Sequence, residues 1–591
     1  MSDPLALAAG FEPATRERWR AAVDKALAGA PFERLRTTLY DALIIEPVYA
    51  GADTPSGAVL GRAGAWDVRQ IVSRAAPAAA NTEALADLEG GATSIEFAVD
   101  RGDGRGVALN SAEDVAAALD GVMIDLAPIA LDAGANTTPA LLLAAHATKR
   151  GQKAAPLAFN LDPFAALLGD GAPPALDLKV ARELAADFPN AATLRADIRA
   201  VHEAGGSERQ ELATLLAIGA AYLRAGENAG WSPGETARAL LFTLAAGPDL
   251  IVEIAKLRAA RLVWARLLSA CGVEAPMRLQ SVTGARMLTK RDPWVNLLRV
   301  TAAGFAGGVG GADIVTTAPL TAALGQPTPF ARRLARNTQI LLQEESHLAR
   351  VADPAAGSWG VEKLTDELAR GAWALFQDIE TRGGIVAAFD WLSAEIGKVR
   401  DARIANARKR KDEITGVSAF PLLDERAVAF DPWPQAETPR KGLPRVRLAA
   451  PFEELRDRAE RAGARKLFLA TLGAPAQFAA RENFAKNLFE AGGIPAVGGE
   501  TGYNPQTLGD AFKASGAVAA CLCGADAVYE ASAEAAARAL KQAGCAYVVL
   551  AGKPGAHEAA LRAAGVDAFA YAGVDVATFL DGAHAAMGIA P

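Results

Sequence analysis

The fold is decided first at residues 467–493, which read LFLATLGAPAQFAARENFAKNLFEAGG. Leu467 to Leu472 is an apolar run of strand length, residues 473–480 are predicted to form a loop, and Arg481 to Ala491 is predicted to be helical. A strand, a tight loop and a helix in this order present a ligand site at the carboxyl edge of an open parallel sheet. The loop contains no carboxylate, imidazole, thiol or cationic side chain. The position therefore favours a ligand site, whereas its side chains offer nothing to bind a ligand.

The sequence around this stretch continues the same alternation of short strands and helices. The first strand is predicted at 466–472, and further strands are predicted at Ala517–Leu522, Tyr547–Ala551 and Ala568–Ala570. Parallel strands joined by crossover helices are typical of doubly wound sheets. We therefore predict a small flavodoxin-like (Rossmann-like) α/β domain over residues 456–591.

Residues 41–397 contain a longer alternation of apolar strands and helices. Over roughly 350 residues, such a pattern fits a closed (β/α)8 TIM barrel with insertions, whose active face lies at the carboxyl ends of the strands. The candidate strands are Ser94–Val99, Gly121–Asp125, Leu157–Phe159 and Leu279–Ser281, and the candidate helices are Pro139–Arg150, Glu208–Ala225, Asp249–Ser269 and Pro293–Phe305.

Two further segments flank the barrel. Residues 1–40 are predicted to be an amino-terminal arm with one helix at 13–28, in which Trp19, Val23 and Leu27 share a face. That face can pack on a partner chain or on the core of its own chain. Residues 398–455 are predicted to be a charged linker, because several prolines interrupt any regular element: Pro421, Pro432, Pro434, Pro439 and Pro444.

Composition excludes several classes of protein. At 591 residues and a net charge of −7, the chain has room for two to four domains and does not favour nucleic acid. We expect neither a secretory signal nor a membrane span, since no uninterrupted apolar run reaches about 20 residues. The cysteines have no zinc-site spacing, so we expect buried thiols in a reducing cytoplasm. They are Cys271, Cys521, Cys523 and Cys545.

Four blocks of sequence resemble the acyl-CoA mutases that depend on adenosylcobalamin, the methylmalonyl-CoA mutase family in particular. They are Trp66–Gln70, Glu253–Ala265, Ala335–Ser346 and Asp353–Ser358, in collinear order. The resemblance implies a barrel that holds acyl-CoA along its axis and a carboxyl-terminal domain that carries cobalamin over the barrel mouth. The chemistry it implies is a radical 1,2-shift in which the cofactor supplies the radical.

The groups that the family uses to hold cobalamin are replaced in this chain. The family loop reads Asp-x-His-x-x-Gly, where His binds cobalt and Asp orients it. The matching positions are Pro475, Gln477 and Ala480. A family Ser-x-Leu, which contacts the nucleotide tail, matches Cys521-Leu522-Cys523, and a following Gly-Gly matches Ala551-Gly552. We therefore predict no cofactor-binding residues on this chain.

The catalytic positions of the barrel are replaced as well. The active-site Tyr of the family matches Ile71, and its two active-site His residues match Ala200 and Gln280. Arg69 and Arg278 remain as candidates for residual acyl-CoA contacts. We therefore predict no catalytic residue and no metal ligand on this chain.

Other features could be mistaken for functional sites. His202 lies close to the replaced His position, and a local hydrogen-bonding or packing role is favoured for it. His347 follows Glu344-Glu345-Ser346, where hydrogen bonding on a helix surface is favoured over a metal site. The glycine run 307–311 lacks the Lys-Ser/Thr of a P-loop, and close backbone packing in a barrel loop is favoured.

Taken together, the resemblance implies a non-catalytic small (beta) subunit of a heterodimeric mutase. The partner would be the catalytic large subunit, which would bind adenosylcobalamin and convert (R)-methylmalonyl-CoA to succinyl-CoA. Two alternatives remain open. The chain could be a self-sufficient cobalamin enzyme with atypical ligation, or it could be an acyl-CoA-binding regulatory homologue.

Overall fold

The computed structural model describes residues 12, 14–51, 62, 64–434, 439–463 and 465–590. Eight parallel strands close into a barrel, in which each strand pairs with the next and the last returns to the first. This confirms the predicted TIM barrel. The barrel strands are β1 (Asp67–Val72), β2 (Ser94–Ala98), β3 (Ile129–Asp132), β4 (Ala158–Leu161), β5 (Ala192–Asp197), β6 (Leu240–Ala246), β7 (Arg278–Thr283) and β8 (Ile314–Thr316).

Helices surround the barrel and follow it along the chain. In the described ranges they are α1 (Arg16–Leu27), α2 (Pro77–Glu89), α3 (Ala112–Ala118), α4 (Thr138–Lys149), α5 (Phe164–Asp170), α6 (Lys179–Asp187), α7 (Arg199–Glu203), α8 (Glu208–Asn228), α9 (Pro233–Ala239), α10 (Leu250–Ala270), α11 (Asn296–Val309), α12 (Pro329–Ile340), α13 (Trp359–Thr381), α14 (Phe389–Arg408), α15 (Ala450–Arg461), α16 (Pro475–Ala491), α17 (Pro505–Ser515), α18 (Asp526–Gln542), α19 (Glu558–Ala563) and α20 (Val576–Ala586).

One predicted barrel strand is wrong. Residues 121–125 form a turn, which Gly121 enters with a φ of +73°, and the strand follows at β3. Val122 and Ile124 are buried, so their apolar alternation results from packing against the core and not from a strand of the sheet. The helix predicted at 293–305 also differs, because it begins as a 3-10 turn at Pro293–Val295 and continues as α11.

The blocks that carry the resemblance join to one another in space. Trp66 donates from Nε1 to Oε1 of Gln339 over 3.1 Å, which links the first block to α12. Arg258 of α10 is fully buried, pairs with Asp353, and donates to Glu362 of α13 over 2.7 Å. These blocks therefore hold the helical shell to the barrel.

The second domain is a five-stranded parallel sheet with helices on both faces. In chain order its strands are β9 (Leu467–Thr471), β10 (Ala496–Gly498), β11 (Ala519–Cys523), β12 (Tyr547–Ala551) and β13 (Ala568–Ala570). Their order across the sheet is β10-β9-β11-β12-β13, which is the flavodoxin-like order and agrees with the prediction. The short strand β10 was not predicted, since three residues beside two glycines give little pattern to detect.

The connection between the two domains differs from the predicted linker. Helix α14 continues to Arg408 and α15 begins at Ala450, so both regular elements extend into the range 398–455. Residues 439–449, which we call the strap, lie on the carboxyl face of the barrel. The backbone N–H groups of Gly442 and Leu443 donate to the carbonyls of Gly169 and Leu168 over 2.9 and 2.8 Å.

The amino-terminal helix is shorter than predicted, since α1 runs from Arg16 to Leu27 and Thr15 caps it. Pro13 lies outside the described residues. Trp19, Val23 and Leu27 are each half-buried, and Trp19 packs edge-on against Phe32 with ring centroids 5.9 Å apart. Across the described ranges, no helix is both long enough and apolar enough to span a membrane.

Candidate functional site

The middle of the barrel is filled by hydrogen-bonded charged and polar side chains. Arg195 of β5 donates from Nη1 to Oε1 of Glu96 on β2 over 2.9 Å. Gln280 of β7 donates from Nε2 to the other carboxylate oxygen of Glu96 over 2.8 Å. Strands β2, β5 and β7 are not neighbours, so these contacts must cross the interior. All three side chains are at most 1% exposed, and together they occupy the barrel axis.

Further side chains complete this axial network. Arg195 donates from Nε to Thr243 over 3.0 Å, and Gln280 donates to Thr316 over 3.2 Å. Burial alone would lower the pKa of Arg195, yet the Glu96 and Asp197 carboxylates raise it, so the guanidinium stays charged. On the strands beside these residues, apolar side chains form a separate small cluster. It consists of Ala130, Ala158, Ala192, Leu241 and Ile314.

The two retained arginines lie in different surroundings. Arg69 is 3% exposed and donates to Ser94 over 2.8 Å and to Asp67 over 3.0 Å, while its Nη1 is buried 3.9 Å from Glu96 without a hydrogen bond to a described residue. Arg278 begins β7 at the opposite end of the barrel from the mouth. Its side chain makes no hydrogen bond or ion pair to any described residue, and burial lowers its pKa despite the attraction of Asp313.

Two of the three positions matched to the catalytic groups stand near the mouth, one lies in the middle of the barrel, and all three carry inert side chains. Ile71 is half-buried near the end of β1, and its carbonyl accepts from Arg332 over 2.9 Å. Ala200 is half-buried in the short helix α7, directly after β5. Gln280 belongs to the axial network. None of the three can donate or accept a proton as Tyr or His does.

His202 lies in a buried ionic cluster. Its Nδ1 is 2.9 Å from Glu211, which also accepts from Lys256 over 2.9 Å. Its Nε2 meets no described partner and faces Gly284, where a Cβ would stand 2.6 Å away. Burial, followed by the nearby Arg286, lowers the pKa of His202 well below its usual value, which favours the neutral imidazole.

A cluster of carboxylates and guanidinium groups lines one side of the barrel mouth, at the ends of β2 to β5. Arg199 donates to Asp132 and Asp197 over 2.9 Å, and Arg101 donates to Asp132 over 2.5 Å. Burial would raise the pKa of Asp197, but Arg199 and Arg195 lower it to about 2. Asp162 has the opposite balance, since burial and the Asp197 charge raise its pKa to about 7. Sequence reasoning missed this cluster, because its members come from four separate loops and strand ends.

In the second domain, the predicted loop 473–480 is wrong. Helix α16 begins at Pro475, so Pro475, Gln477 and Ala480 all lie in its first turns. The side chain of Gln477 accepts a hydrogen bond from the backbone N–H of Ala474 over 2.9 Å. Proline at the first helical position and Gln three residues after the cap are a readable helix-start signal.

The crevice at the carboxyl edge of this sheet is also occupied by side chains. The hydroxyl of Tyr529 lies 2.9 Å from the carbonyls of both Leu522 and Ala551, at the ends of β11 and β12. Arg481 lies over the Tyr529 ring, 4.8 Å from its centroid, and donates to the carbonyl of Gly524 over 2.6 Å. Ligands of this fold bind beside the point where the strand order reverses, which is between β9 and β11. Arg481 crosses this position, because it reaches from the helix after β9 to Gly524, which follows β11.

The residues present do not fit cobalamin. Gln477 offers an amide to the helix start in place of an imidazole, and Tyr529 stands over the strand ends. Cys521 and Cys523 are fully buried within the sheet, and the contact between their thiols, together with burial, raises the pKa of Cys523 well above its usual value. Within the described ranges, no group of three or more His, Cys, Asp or Glu side chains could hold a metal ion.

Two other features singled out in the sequence, His347 and the glycine run 307–311, have structural rather than ligand-binding surroundings. His347 is exposed and follows a π-helical turn at Leu341–Glu345. The glycine run 307–311 belongs to the end of α11 and the turn after it. A Cβ at Gly308 would stand 2.8 Å from the ring of Trp66, so this run permits close packing of the helix on the barrel.

Comparisons with known proteins agree with this geometry. The family described as methylmalonyl-CoA mutase matches residues 60–492. The methylmalonyl-CoA mutase small subunit of Streptomyces virginiae is 43% identical and covers 100% of this chain and 99% of its own length. The small subunit from Propionibacterium freudenreichii subsp. shermanii is 35% identical, with 99% and 97% covered. The methylmalonyl-CoA mutase of Escherichia coli K12 is 37% identical over 38% of this chain and 32% of its own length.

Proposed function

This chain belongs to the methylmalonyl-CoA mutase family, and on that premise we propose that it is the small (beta), non-catalytic subunit of a heterodimeric methylmalonyl-CoA mutase. The partner is the catalytic large subunit, which binds adenosylcobalamin and converts (R)-methylmalonyl-CoA to succinyl-CoA. This chain stabilises and positions that partner. The proposal places the complex in the cytoplasm and in propionate metabolism.

One observation carries the non-catalytic part of the proposal. Glu96, Arg195 and Gln280 meet across the barrel axis, along which the family resemblance implies that acyl-CoA would thread. Opening that path would separate a buried ion pair, and a buried charge that loses its partner is strongly destabilising. The helix start at 475–480 likewise supports the proposal that this chain does not bind the cofactor. A chain built in this way leaves both substrate and cofactor to its partner.

The proposed organisation assigns a role to each part of the chain. Residues 1–40 form an arm for contact with the partner subunit, 41–397 form the mutase barrel, 398–455 form the linker, and 456–591 form a degenerate cobalamin-binding-type domain. An obligate interface between such subunits should be large and apolar. The arm contributes the half-buried face of α1 to it.

Co-expression with the catalytic subunit tests the proposal. We expect the catalytic subunit to show higher mutase activity and a higher thermal midpoint with this chain than without it. The matched control is a variant of this chain without residues 1–40, which should fold but should support its partner less well. Activity and stability of the catalytic subunit that do not change with this chain would refute the subunit role.

A self-sufficient cobalamin enzyme with atypical ligation is the first alternative. It requires a cobalt ligand, and Gln477 is already bonded to the helix start. Titration of the purified chain with adenosylcobalamin separates the two functions, because base-on and base-off cobalamin differ in their visible spectra. Tight binding by the isolated chain would favour the alternative.

An acyl-CoA-binding regulatory homologue is the second alternative, and Arg278 is the observation that favours it. Its guanidinium lies at the amino-terminal end of the barrel without a described partner and could hold a phosphate of CoA. Calorimetric titration with CoA tests this role, with Arg278→Gln as the variant. Arg266→Gln, at an exposed position on α10, is the control. Binding that is lost only in Arg278→Gln would support a regulator.

A further inference from the structure

Several large apolar side chains are exposed where the connection between the two domains meets the barrel. Phe420 of the connection is 75% exposed, and Leu298 of α11 is 71% exposed. Phe330, near the start of α12, is exposed as well, and so are Leu422 and Phe430 of the connection. A single exposed apolar residue is ordinary on a protein surface, whereas a group of them marks a binding surface.

Contacts around Trp294 bring these segments together. Its ring packs edge-on against Phe330, with the centroids 6.4 Å apart. Its Nε1 donates to the carbonyl of Arg426 in the connection over 3.3 Å. Further along the connection, the backbone of Phe430 pairs with that of Pro327, just before α12. The starts of two barrel helices and the connection therefore meet at Trp294.

The turn that ends in Phe420 is bonded to α11. Arg299, which follows Leu298, donates to the carbonyl of Thr415 over 2.6 Å. Thr415 and Ala419 form a bridge across the turn, so Phe420 lies close to this bond. Leu298 and Phe420 are thus held on adjoining segments.

The backbone holds Phe420 in a conformation that such a residue rarely adopts. Its φ is 49°, in the left-handed region that suits glycine, and a bulky residue there is a true outlier. Residues 417–419 before it are buried, and buried Arg456 of α15 donates to the carbonyls of Gly416 and Leu422 over 3.4 and 2.5 Å. Strained residues persist where the surrounding structure fixes them, and they cluster at binding sites. The turn therefore keeps a strained phenylalanine exposed to solvent.

The charges beside these apolar residues have both signs. Arg333 lies over the Phe330 ring, 5.5 Å from its centroid, and Arg426 is exposed. Asp424 and Asp431 are exposed on the connection. A surface that binds membranes carries mostly Lys and Arg beside its apolar face, whereas aromatic residues within a polar rim are typical of protein interfaces. The chemistry of this surface fits another protein.

The exposed area also suits a protein partner. An aromatic side chain can bury about 150–250 Å², so the exposed fractions here amount to on the order of 500 Å². Apolar patches of about 300–600 Å² on a monomer are often functional. One partner contributes about 800 Å² to a standard interface. The patch therefore supplies more than half of one side of such an interface.

We propose that these residues form a contact surface for the catalytic subunit, in addition to the amino-terminal arm. We call it the seam surface, and it consists of Trp294, Leu298, Phe330, Phe420, Leu422 and Phe430. The inference rests on the proposed subunit role, since that role supplies a protein partner that stays bound. Barrel helices and the inter-domain connection both contribute, so a partner seated on the seam surface contacts both.

Binding between the two full-length chains tests the proposal. Calorimetry gives the dissociation constant, and thermal unfolding gives the midpoint of this chain alone. Phe420→Asn removes the ring, and asparagine accepts a positive φ more readily than phenylalanine. We expect the dissociation constant to rise at least about tenfold, since an aromatic anchor is lost, while the midpoint of the isolated chain stays the same or rises. A residue needed only for the fold would lower that midpoint instead.

Leu298→Asn, on the barrel side of the seam surface, should also weaken binding. The matched control is Leu126→Asn, which should leave the dissociation constant unchanged. Leu126 is 70% exposed and precedes β3, at the amino-terminal end of the barrel, whereas α11 and α12 begin at the carboxyl end. Wild-type affinity in both Phe420→Asn and Leu298→Asn would overturn the seam surface and leave the subunit role standing.

Sedimentation of this chain alone is the second measurement. We expect the wild type and Phe420→Asn to sediment alike, each as a single chain. Self-association of the wild type that Phe420→Asn abolishes would assign the surface to a second copy of this chain and overturn the proposal. A wild-type chain that does not bind the catalytic subunit would refute the subunit role, and the seam surface with it.

Discussion

The barrel interior depends on the carboxylate of Glu96, which accepts hydrogen bonds from Arg195 and Gln280 in a fully buried setting. Glu96→Ala leaves the Arg195 guanidinium without its closest counter-charge. We expect the free energy of unfolding to fall by about 3–5 kcal/mol, as is typical when a buried pair loses one member. Urea denaturation measures this loss. Glu113→Ala, at an exposed position on α3, should change the free energy by less than about 0.5 kcal/mol.

The carboxyl group of Asp162 should make the free energy of unfolding depend on pH. Its pKa is raised to about 7 in the folded chain by burial and the Asp197 charge, with Arg195 opposing, and is about 4 in an unfolded chain. The folded state therefore binds more protons between these values, so its contribution to stability is present below about pH 4 and is lost as pH rises through 7. Asp162→Asn should remove a slope of up to about 1.4 kcal/mol per pH unit in that window. Parallel stability curves for the two proteins between pH 5 and 7 would contradict this assignment.

At the scale of elements, local sequence patterns predicted the strands and helices but not the contacts between them. The alternation of strands and helices predicted the barrel and the doubly wound sheet, because each βα unit carries its own apolar pattern. The axial network could not be predicted, since Glu96, Arg195 and Gln280 meet only after non-neighbouring strands have closed the barrel. The start of α16, in contrast, could have been predicted, because Pro475 and Gln477 are a local signal for the start of a helix.

The start of α16 leads to a prediction about restoring the family residues. We expect the triple variant Pro475→Asp, Gln477→His, Ala480→Gly to remain without measurable affinity for adenosylcobalamin. The added imidazole would stand in a helix start, and Tyr529 and Arg481 would still cover the edge of the sheet. The measurement is spectroscopic titration with the cofactor. Tight, base-off binding by the triple variant would show that only the three loop residues had been lost.

At the scale of the whole molecule, ionic contacts join the second domain to the barrel. Arg291, in the loop after β7, pairs with Asp457 and Glu460 of α15, each over 2.5 Å. Arg408, at the end of α14, pairs with Asp575 of the second domain over 3.0 Å. These pairs are partly exposed, so each contributes only up to about 1 kcal/mol and is weakened by salt. Because these ion pairs are weak, we expect the position of the second domain against the barrel to change when a partner binds across both.

This reasoning leads to a prediction about the complete assembly. If the catalytic subunit binds only the folded form of this chain, mass action should stabilise the chain by about 2.7 kcal/mol when the free partner is present at 100 times its dissociation constant. Calorimetric scans of this chain with increasing catalytic subunit should show a midpoint that rises with concentration. The Escherichia coli relative serves as the control, since its name specifies no small subunit and we expect it to leave the midpoint unchanged. A midpoint that is independent of the catalytic subunit would mean that folding of this chain and assembly are not coupled, and the role proposed for this chain would fail with it.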